Sequence, residues 1–449
     1  MLTFRLSELQ GQRQGADVAF SGLCSDSREI SPGVLFVALP GERVDGHQFV
    51  AQARLAGAAA ALVSNPVDDP LPQLIVADTV AALGEIAKKW RQKHTLTVIA
   101  LTGSNGKTTV KNLLAAILGR IGPTLATDGN RNNEIGVPLT LARLNASHRF
   151  AVIEMGAGKP GDIAYLTEIA QPSVALVNNA SSAHIERLGS VTGVAATKGA
   201  IYDTVALEHA VINRDDPFAS AWAERAAGAR VSYFALDRPQ PGDVSAIALA
   251  LGPPTRFILR CALGEAPIEL KLEGRHNVRN ALAAAACAIA AGAPLDAVVD
   301  GLRSSPAQSG RLNRLVSARG YALIDDAYNA NPASLKAAID TLSGAGTPKL
   351  WLALGDMGEL GSEAPGLHAE CGRYAQLAGV EKLFAIGELG RHTVAAFGAG
   401  ARHFESANAL AEALDREIGA GVTLLVKGSR SARMERVIDA LKLKEGEPC

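Results

Sequence analysis

Leu101-Thr102-Gly103-Ser104-Asn105-Gly106-Lys107-Thr108-Thr109 follows the apolar, partly β-branched run Leu96 to Leu101 and precedes the helical pattern Val110 to Leu118. A strand that turns through glycines directly into a helix is the setting of a phosphate loop. The glycines let the backbone fold back so that successive N–H groups converge on phosphate oxygens at the positive end of the helix. Lys107 would neutralise the β- and γ-phosphates of ATP, and the Thr108 hydroxyl would hold Mg²⁺. Gly103, Ser104, Asn105, Gly106, Lys107, Thr108 and Thr109 are therefore the candidate ATP contacts. The generic pattern asks for glycine at position 101, where Leu101 stands, so this is the shorter GxxGKTT form. A glycine turn that binds nothing is the competing reading, and it gives Lys-Thr-Thr no purpose.

Outward from the loop, strands and helices alternate. Strand Phe150 to Glu154, helix Ile163 to Ile169, strand Val174 to Asn178 and strand Ala210 to Asn213 predict a parallel sheet covered on both faces. Arg230 to Leu272 reads as short strands with Gly/Pro turns, an antiparallel extension, before the Ala-rich helix Val278 to Ala291. The last third alternates again, from Ala322 to Leu441, as a Rossmann-like domain without a GxGxxG fingerprint. The first hundred residues read as a small α/β unit ending in helix Val80 to Arg91. The expected fold class is α/β in three domains: 1–95, a central P-loop parallel-sheet domain 96–310, and a C-terminal Rossmann-like domain 311–449. A chain of 449 residues is too long for one core.

The composition, 48% hydrophobic but only 4% aromatic, calls for aliphatic cores, and a formal net charge of -1 offers no global attraction to nucleic acid or anionic membranes. Cys24, Cys261, Cys287, Cys371 and Cys449 form no CxxC pair and read as reduced thiols of a cytoplasmic protein. No export signal or membrane span is expected.

Three further residues carry candidate chemistry. Glu154 ends a buried parallel strand, where sheet clefts bind ligands and a hard cation needs a carboxylate; it otherwise caps a turn. His184, in Asn178-Asn179-Ala180-Ser181-Ser182-Ala183-His184, is either a second Mg²⁺ ligand or structural. Lys198, in Ala195-Ala196-Thr197-Lys198-Gly199, reads from its spacing as a solvated helix lysine.

Together, GxxGKTT, Glu154-Met155-Gly156, Asn178-Asn179 with His184, and Ala196-Thr197-Lys198-Gly199 resemble the Mur ligase family of bacterial cell-wall synthesis. The resemblance continues through Gly274-Arg275-His276-Asn277, Gly310-Arg311, Asp325-Asp326-Ala327-Tyr328-Asn329-Ala330-Asn331-Pro332, Gly355-Asp356-Met357-Gly358-Glu359-Leu360-Gly361 and Lys427-Gly428-Ser429-Arg430, and so covers essentially the whole chain. It implies an ATP-dependent, amide-forming ligase that uses two Mg²⁺ ions and activates a carboxylate as an acyl phosphate. Lys107, His184 and Lys198 would be catalytic, with Lys198 carbamylated and joining Thr108, Glu154 and His184 around metal. Asn280 would flank adenine, and Arg311 and Asp325 would contact phosphate and ribose, with Asp326 as a substitute for Asp325. Ser27, Arg28 and His47 resemble the uridine-nucleotide side, and Asn130, Asn132 and Asn133 the muramoyl-peptide side. Asn329 and Asn331 would meet the incoming dipeptide. Within the family, the Asp-Asp-x-Tyr-Asn-Ala-Asn-Pro run resembles the member that adds D-alanyl-D-alanine to UDP-N-acetylmuramoyl-tripeptide. A monomer is expected. The rival readings are a ligase adding glutamate or another amino acid, a non-ligating NTPase, and an oxidoreductase, which the absent GxGxxG disfavours.

Overall fold

Strand Thr97–Thr102 lies between Phe150–Glu154 and Val174–Val177, parallel to both. In the computed structural model, which describes residues 2–41, 44–182, 185–252, 254–305, 310–344 and 349–445, Val98, Ile99, Ala100 and Leu101 of this strand are fully buried. Burial on both faces explains why it reads as one apolar run rather than as an alternating pattern. Ile99 and Leu101 pack under helices Lys107–Leu118 and Arg275–Ala290. Val98 and Ala100 face the opposite layer, where Ile163, Leu166 and Ile169 come from helix Asp162–Ala170. The run Ala283 to Ala286 in the alanine-rich helix is buried, and its small side chains bring that helix close to the sheet.

Among the described residues the central sheet has nine strands. From Thr124–Ala126 at one edge through His209–Asn213 the strands are parallel. Arg230–Ala235 also pairs parallel, both to His209–Asn213 and to Val244–Ala250. The expected antiparallel extension therefore starts one strand later, and comprises Val244–Ala250, Thr255–Cys261 and Gly264–Leu270. In the last of these strands the buried Ala266, Ile268 and Leu270 alternate with exposed residues, as at a sheet end with one open face.

A five-stranded sheet occupies the first residues, ordered from Gln12–Gln14 through Gln73–Ile75, Ala60–Val63 and Leu35–Val37 to Leu23–Cys24, with a two-stranded piece formed by Thr3–Arg5 and Ala19–Ser21. Among the described residues the last sheet has six strands, with Asn313–Val316 as an antiparallel edge and the rest parallel. Its strands Ala322–Asp326, Thr423–Lys427 and Leu350–Leu354 are adjacent, so their carboxyl ends gather Asp326, Lys427 and the turn after Leu354. Cys24, Cys261, Cys287 and Cys371 are free thiols. No described helix is long and apolar enough to cross a membrane.

Candidate active site

Gly106 ends the loop at φ +79°, left-handed backbone that glycine adopts without strain, and helix Lys107–Leu118 begins at the next residue. A Cβ there would lie 2.3 Å from Asn280 Oδ1 and 2.7 Å from Asn178 Nδ2. Position 106 thus needs glycine twice, for its conformation and for its contact. The helix starts three residues before its apolar periodicity does, because the first turn of a phosphate loop is polar.

Asparagines hold the loop in shape. Asn105 N–H donates to Asn179 Oδ1 at 2.9 Å, and Asn178 and Asn179 Nδ2 both donate to Asn105 O, at 3.0 and 3.1 Å. Asn178 Nδ2 also reaches Asn280 Oδ1 at 3.0 Å, and Asn280 Nδ2 reaches Asn277 Oδ1 at 3.2 Å. Amides serve because each carries both donor and acceptor and bears no charge to desolvate. Lys107 Nζ donates to Gly103 O at 2.8 Å. Burial pushes its ammonium below the usual lysine range, Glu154 opposes that shift, and Arg311 adds to it.

Glu154 is buried, and its Oε1 accepts from Asn132 Nδ2 at 2.8 Å and from Thr108 Oγ1 at 3.3 Å. Its Oε2 is buried without a hydrogen-bond partner, 4.0 Å from Lys111 Nζ. An unpartnered carboxylate oxygen beside a threonine hydroxyl fits a hard cation. Lys111, one helical turn beyond Lys107, donates to Thr127 O and Gly129 O at 2.7 and 3.2 Å and fastens the loop that carries Asn130, Asn132 and Asn133. Its i+4 spacing from Lys107 was the available signal for this residue, which the sequence reading missed.

Lys198 is 1% exposed, so it is not the solvated helix lysine that its spacing suggested. Helix Val191–Gly199 is set by the Ser190 cap, by Trp222 Nε1 donating to Ala195 O, and by Arg225 Nη1 donating to Ala196 O. Burial, then the charge of Lys107, push the Lys198 ammonium well below the ordinary lysine value. His184 lies outside the described residues, and among the described residues no cluster of three or more His, Cys, Asp and Glu side chains forms.

The last sheet reaches the same loop. Arg311 Nη2 donates to Thr108 Oγ1 at 3.2 Å while its guanidinium lies over the Tyr328 ring, 4.6 Å from the centroid. Asn331 Nδ2 donates to Asn105 Oδ1 at 2.7 Å, and Asn331 Oδ1 caps helix Pro332–Gly344 by accepting from Ser334 N–H. A cleft of about 900 Å³ results, lined by the loop from Ser104 to Thr109 and by Asn130, Asn132, Asn133, Glu154, Asn280, Arg311, Asn329 and Asn331. Asp326 also lines it and pairs with the buried Lys427 at 2.5 Å. Asp325 is not part of the lining, and accepts instead from the N–H groups of Gly310 and Ala327. His276, on the same wall, is held down to about 4 by burial, with Asp326 opposing and Lys427 and Arg279 assisting.

Ser27, Arg28 and His47 are not among the residues that line this cleft. Ser27 Oγ donates to Gln52 Oε1 at 3.1 Å, and Arg28 pairs with Asp26 at 2.6 Å. Ser64 N–H donates to His47 Nε2, so the ring proton sits on Nδ1 and is donated to Asp45 Oδ1 at 2.6 Å.

Comparison with known proteins agrees along the chain. Residues 101–288 match the model of the Mur ligase middle domain, 310–430 that of the Mur ligase glutamate ligase domain, and 19–91 that of the Mur ligase family catalytic domain. The UDP-N-acetylmuramoyl-tripeptide--D-alanyl-D-alanine ligase of Escherichia coli is 42% identical over 98% of this chain and 99% of its own length. A crystal structure of MurF from Acinetobacter baumannii superposes with a TM-score of 0.91 at 34% identity, covering 98% of this chain and 99% of that one. MurF ligase from Thermotoga maritima in complex with ADP gives a TM-score of 0.82 at 25% identity, covering 95% and 98%.

Proposed function

The chain belongs to the Mur ligase family, and we propose that it joins D-alanyl-D-alanine to UDP-N-acetylmuramoyl-tripeptide at the expense of ATP. The observation that carries this reading is the meeting of two sheets on one phosphate loop, through Arg311 to Thr108 and Asn331 to Asn105. An enzyme that only hydrolysed nucleotide would need no second sheet over its γ-phosphate site. A ligase does, because its acyl phosphate must be kept from water until the amine arrives.

The residues take these roles. Gly103 to Thr109 bind the ATP phosphates, Asn280 flanks adenine, and Arg311 with Asp325 or Asp326 contacts phosphate and ribose. Asn130, Asn132 and Asn133 hold the muramoyl peptide, Ser27, Arg28 and His47 the uridine diphosphate, and Asn329 and Asn331 the dipeptide. These assignments divide the chain at 1–95, 96–310 and 311–449. Thr108, Glu154, His184 and a carbamate on Lys198 would hold two Mg²⁺ ions, which when bound would neutralise phosphate charge. Burial favours the neutral Lys198 amine, the form that adds CO₂. The resulting carbamate exchanges repulsion by Lys107 for attraction.

In the reaction, a carboxylate oxygen of the tripeptide attacks the γ-phosphorus and ADP leaves. The dipeptide amine then attacks the acyl carbon, and phosphate departs. Lys107 and the loop N–H groups stabilise the charge that builds on the transferred phosphoryl group. The enzyme would act as a cytoplasmic monomer making cell-wall precursor.

Purified enzyme with ATP and Mg²⁺ should release phosphate only when both UDP-muramoyl tripeptide and D-alanyl-D-alanine are present, and mass spectrometry should detect the pentapeptide product. Phosphate release indifferent to both would leave an NTPase.

A further inference from the structure

The cations on the cleft wall fall into two groups. Lys107, Arg279, Arg311, Lys427 and Arg430 each meet a partner within the protein: Gly103 O, Asp237, Thr108, Asp326 and Glu435. Lys159 and Arg187 line the same cleft, and their side chains make no hydrogen bond or ion pair among the described residues. Both lie by the turn that follows Glu154. Asp162 Oδ2 accepts from the N–H groups of Gly158 and Lys159 at 2.8 and 2.9 Å, which fixes that turn. Arg187 Nη1 lies over it, 3.7 Å from where a Cβ on Gly158 would stand. Gly158 is four residues from Glu154, so the guanidinium overlies backbone no more than about 15 Å from the Glu154 Cα.

Where the tripeptide must lie follows from the chemistry, on the reading given under Proposed function. Its terminal carboxyl is the group phosphorylated, so that carboxyl sits at Lys107 and Thr108. The side chain of the third residue branches from the adjoining carbon into the same cleft, whose wall carries Lys159 and Arg187. A lysine side chain would bring a bare ammonium toward two unpaired cations. A diamino dicarboxylic residue carries a carboxylate at the same reach, which a guanidinium can take in two parallel hydrogen bonds. We infer that Arg187 is a specificity-determining residue, reading a side-chain carboxylate on the third residue of the acceptor peptide, with Lys159 supporting it.

The test uses the full-length enzyme with ATP, Mg²⁺, D-alanyl-D-alanine and two acceptors, UDP-muramoyl tripeptides ending in 2,6-diaminopimelate or in lysine. The wild type should favour the diaminopimelate acceptor in kcat/KM. Arg187→Ala should cut that preference about tenfold, the size expected for one partly exposed charge-assisted pair, through KM for that acceptor rather than kcat. Arg187→Lys should restore part of it. An equal loss on both acceptors, or none on either, would overturn the assignment. So would a rise confined to the KM for D-alanyl-D-alanine, which would place the guanidinium on the dipeptide's carboxylate. A wild type that ligates neither acceptor would instead sink the parent reading of the whole site.

Discussion

Lys107 and His276 show how burial sets charge in this cleft, and each supports a prediction at the scale of one side chain. Lys107 stands at the head of its helix with burial opposing its charge and Glu154 supporting it. Incoming phosphate oxygens would supply the anions that compensate it. Lys107→Ala should therefore lower ligation roughly 100- to 1,000-fold, as loss of one positioned transition-state donor does, while the melting temperature stays close to that of the wild type. Near-normal turnover would mean the loop does not carry the phosphates. His276 is held neutral, with a folded pKa of about 4 against an ordinary 6.5. Between those values the unfolded chain takes up a proton that the folded chain refuses, so this residue costs stability as pH falls from about 6.5 toward 4, and nothing above that window. Melting curves of wild type and His276→Gln at pH 7 and pH 5 should show a shallower acid loss in the variant. Equal slopes would show that His276 is not the group responsible.

At the scale of elements, helix Lys107–Leu118 seats the phosphate loop, and Gly301 seats the helix. A Cβ on Gly301, in helix Leu295–Ser304, would lie 2.5 Å from Ile117 Cα and 2.7 Å from Ile117 N. Those are backbone atoms that cannot move alone, so Gly301→Ala should cost about 2–3 kcal/mol by overpacking. The expected fall in melting temperature is roughly 5–10 °C; an unchanged one would show that the two helices separate freely. This helix pair also marks how far the sequence could be read. The strand Phe150–Glu154 was legible to the residue, because burial on both faces makes it apolar up to the closing Glu154. Leu295–Ser304 and the short elements Gly136–Leu141 and Ala401–Phe404 were not, because their patterns are brief and tertiary packing completes them. The phosphate loop was readable because its chemistry is contiguous. Lys198 was not, since nothing in Ala195 to Gly199 reveals which layer will cover the lysine. That Asp326 and not Asp325 lines the cleft needed the strand's register, which sets Asp326 opposite Lys427.

For the whole molecule, coupling between the last sheet and the phosphate loop rests on few contacts, and Asn331 is the one most open to a clean test. Its Oδ1 caps helix Pro332–Gly344 and its Nδ2 reaches Asn105 Oδ1, so the two ends of one amide do separate work. Aspartate keeps the first function, being an equally good helix cap. It forfeits the second, because two acceptor oxygens then face each other across the domain junction. Asn331→Asp should leave the melting temperature within about 2 °C of the wild type and raise the KM for ATP about five- to tenfold, the range for one lost hydrogen bond plus mild repulsion. Hydrogen exchange locates the effect. A non-hydrolysable ATP analogue should slow exchange in the wild type both at residues 103–109 and at residues 310–312 and 328–334, since nucleotide that organises the loop also secures what the loop holds. In Asn331→Asp the protection at 103–109 should persist while that at 328–334 diminishes. Undiminished protection of both segments in the variant would mean that the coupling runs through Arg311 and Thr108 alone.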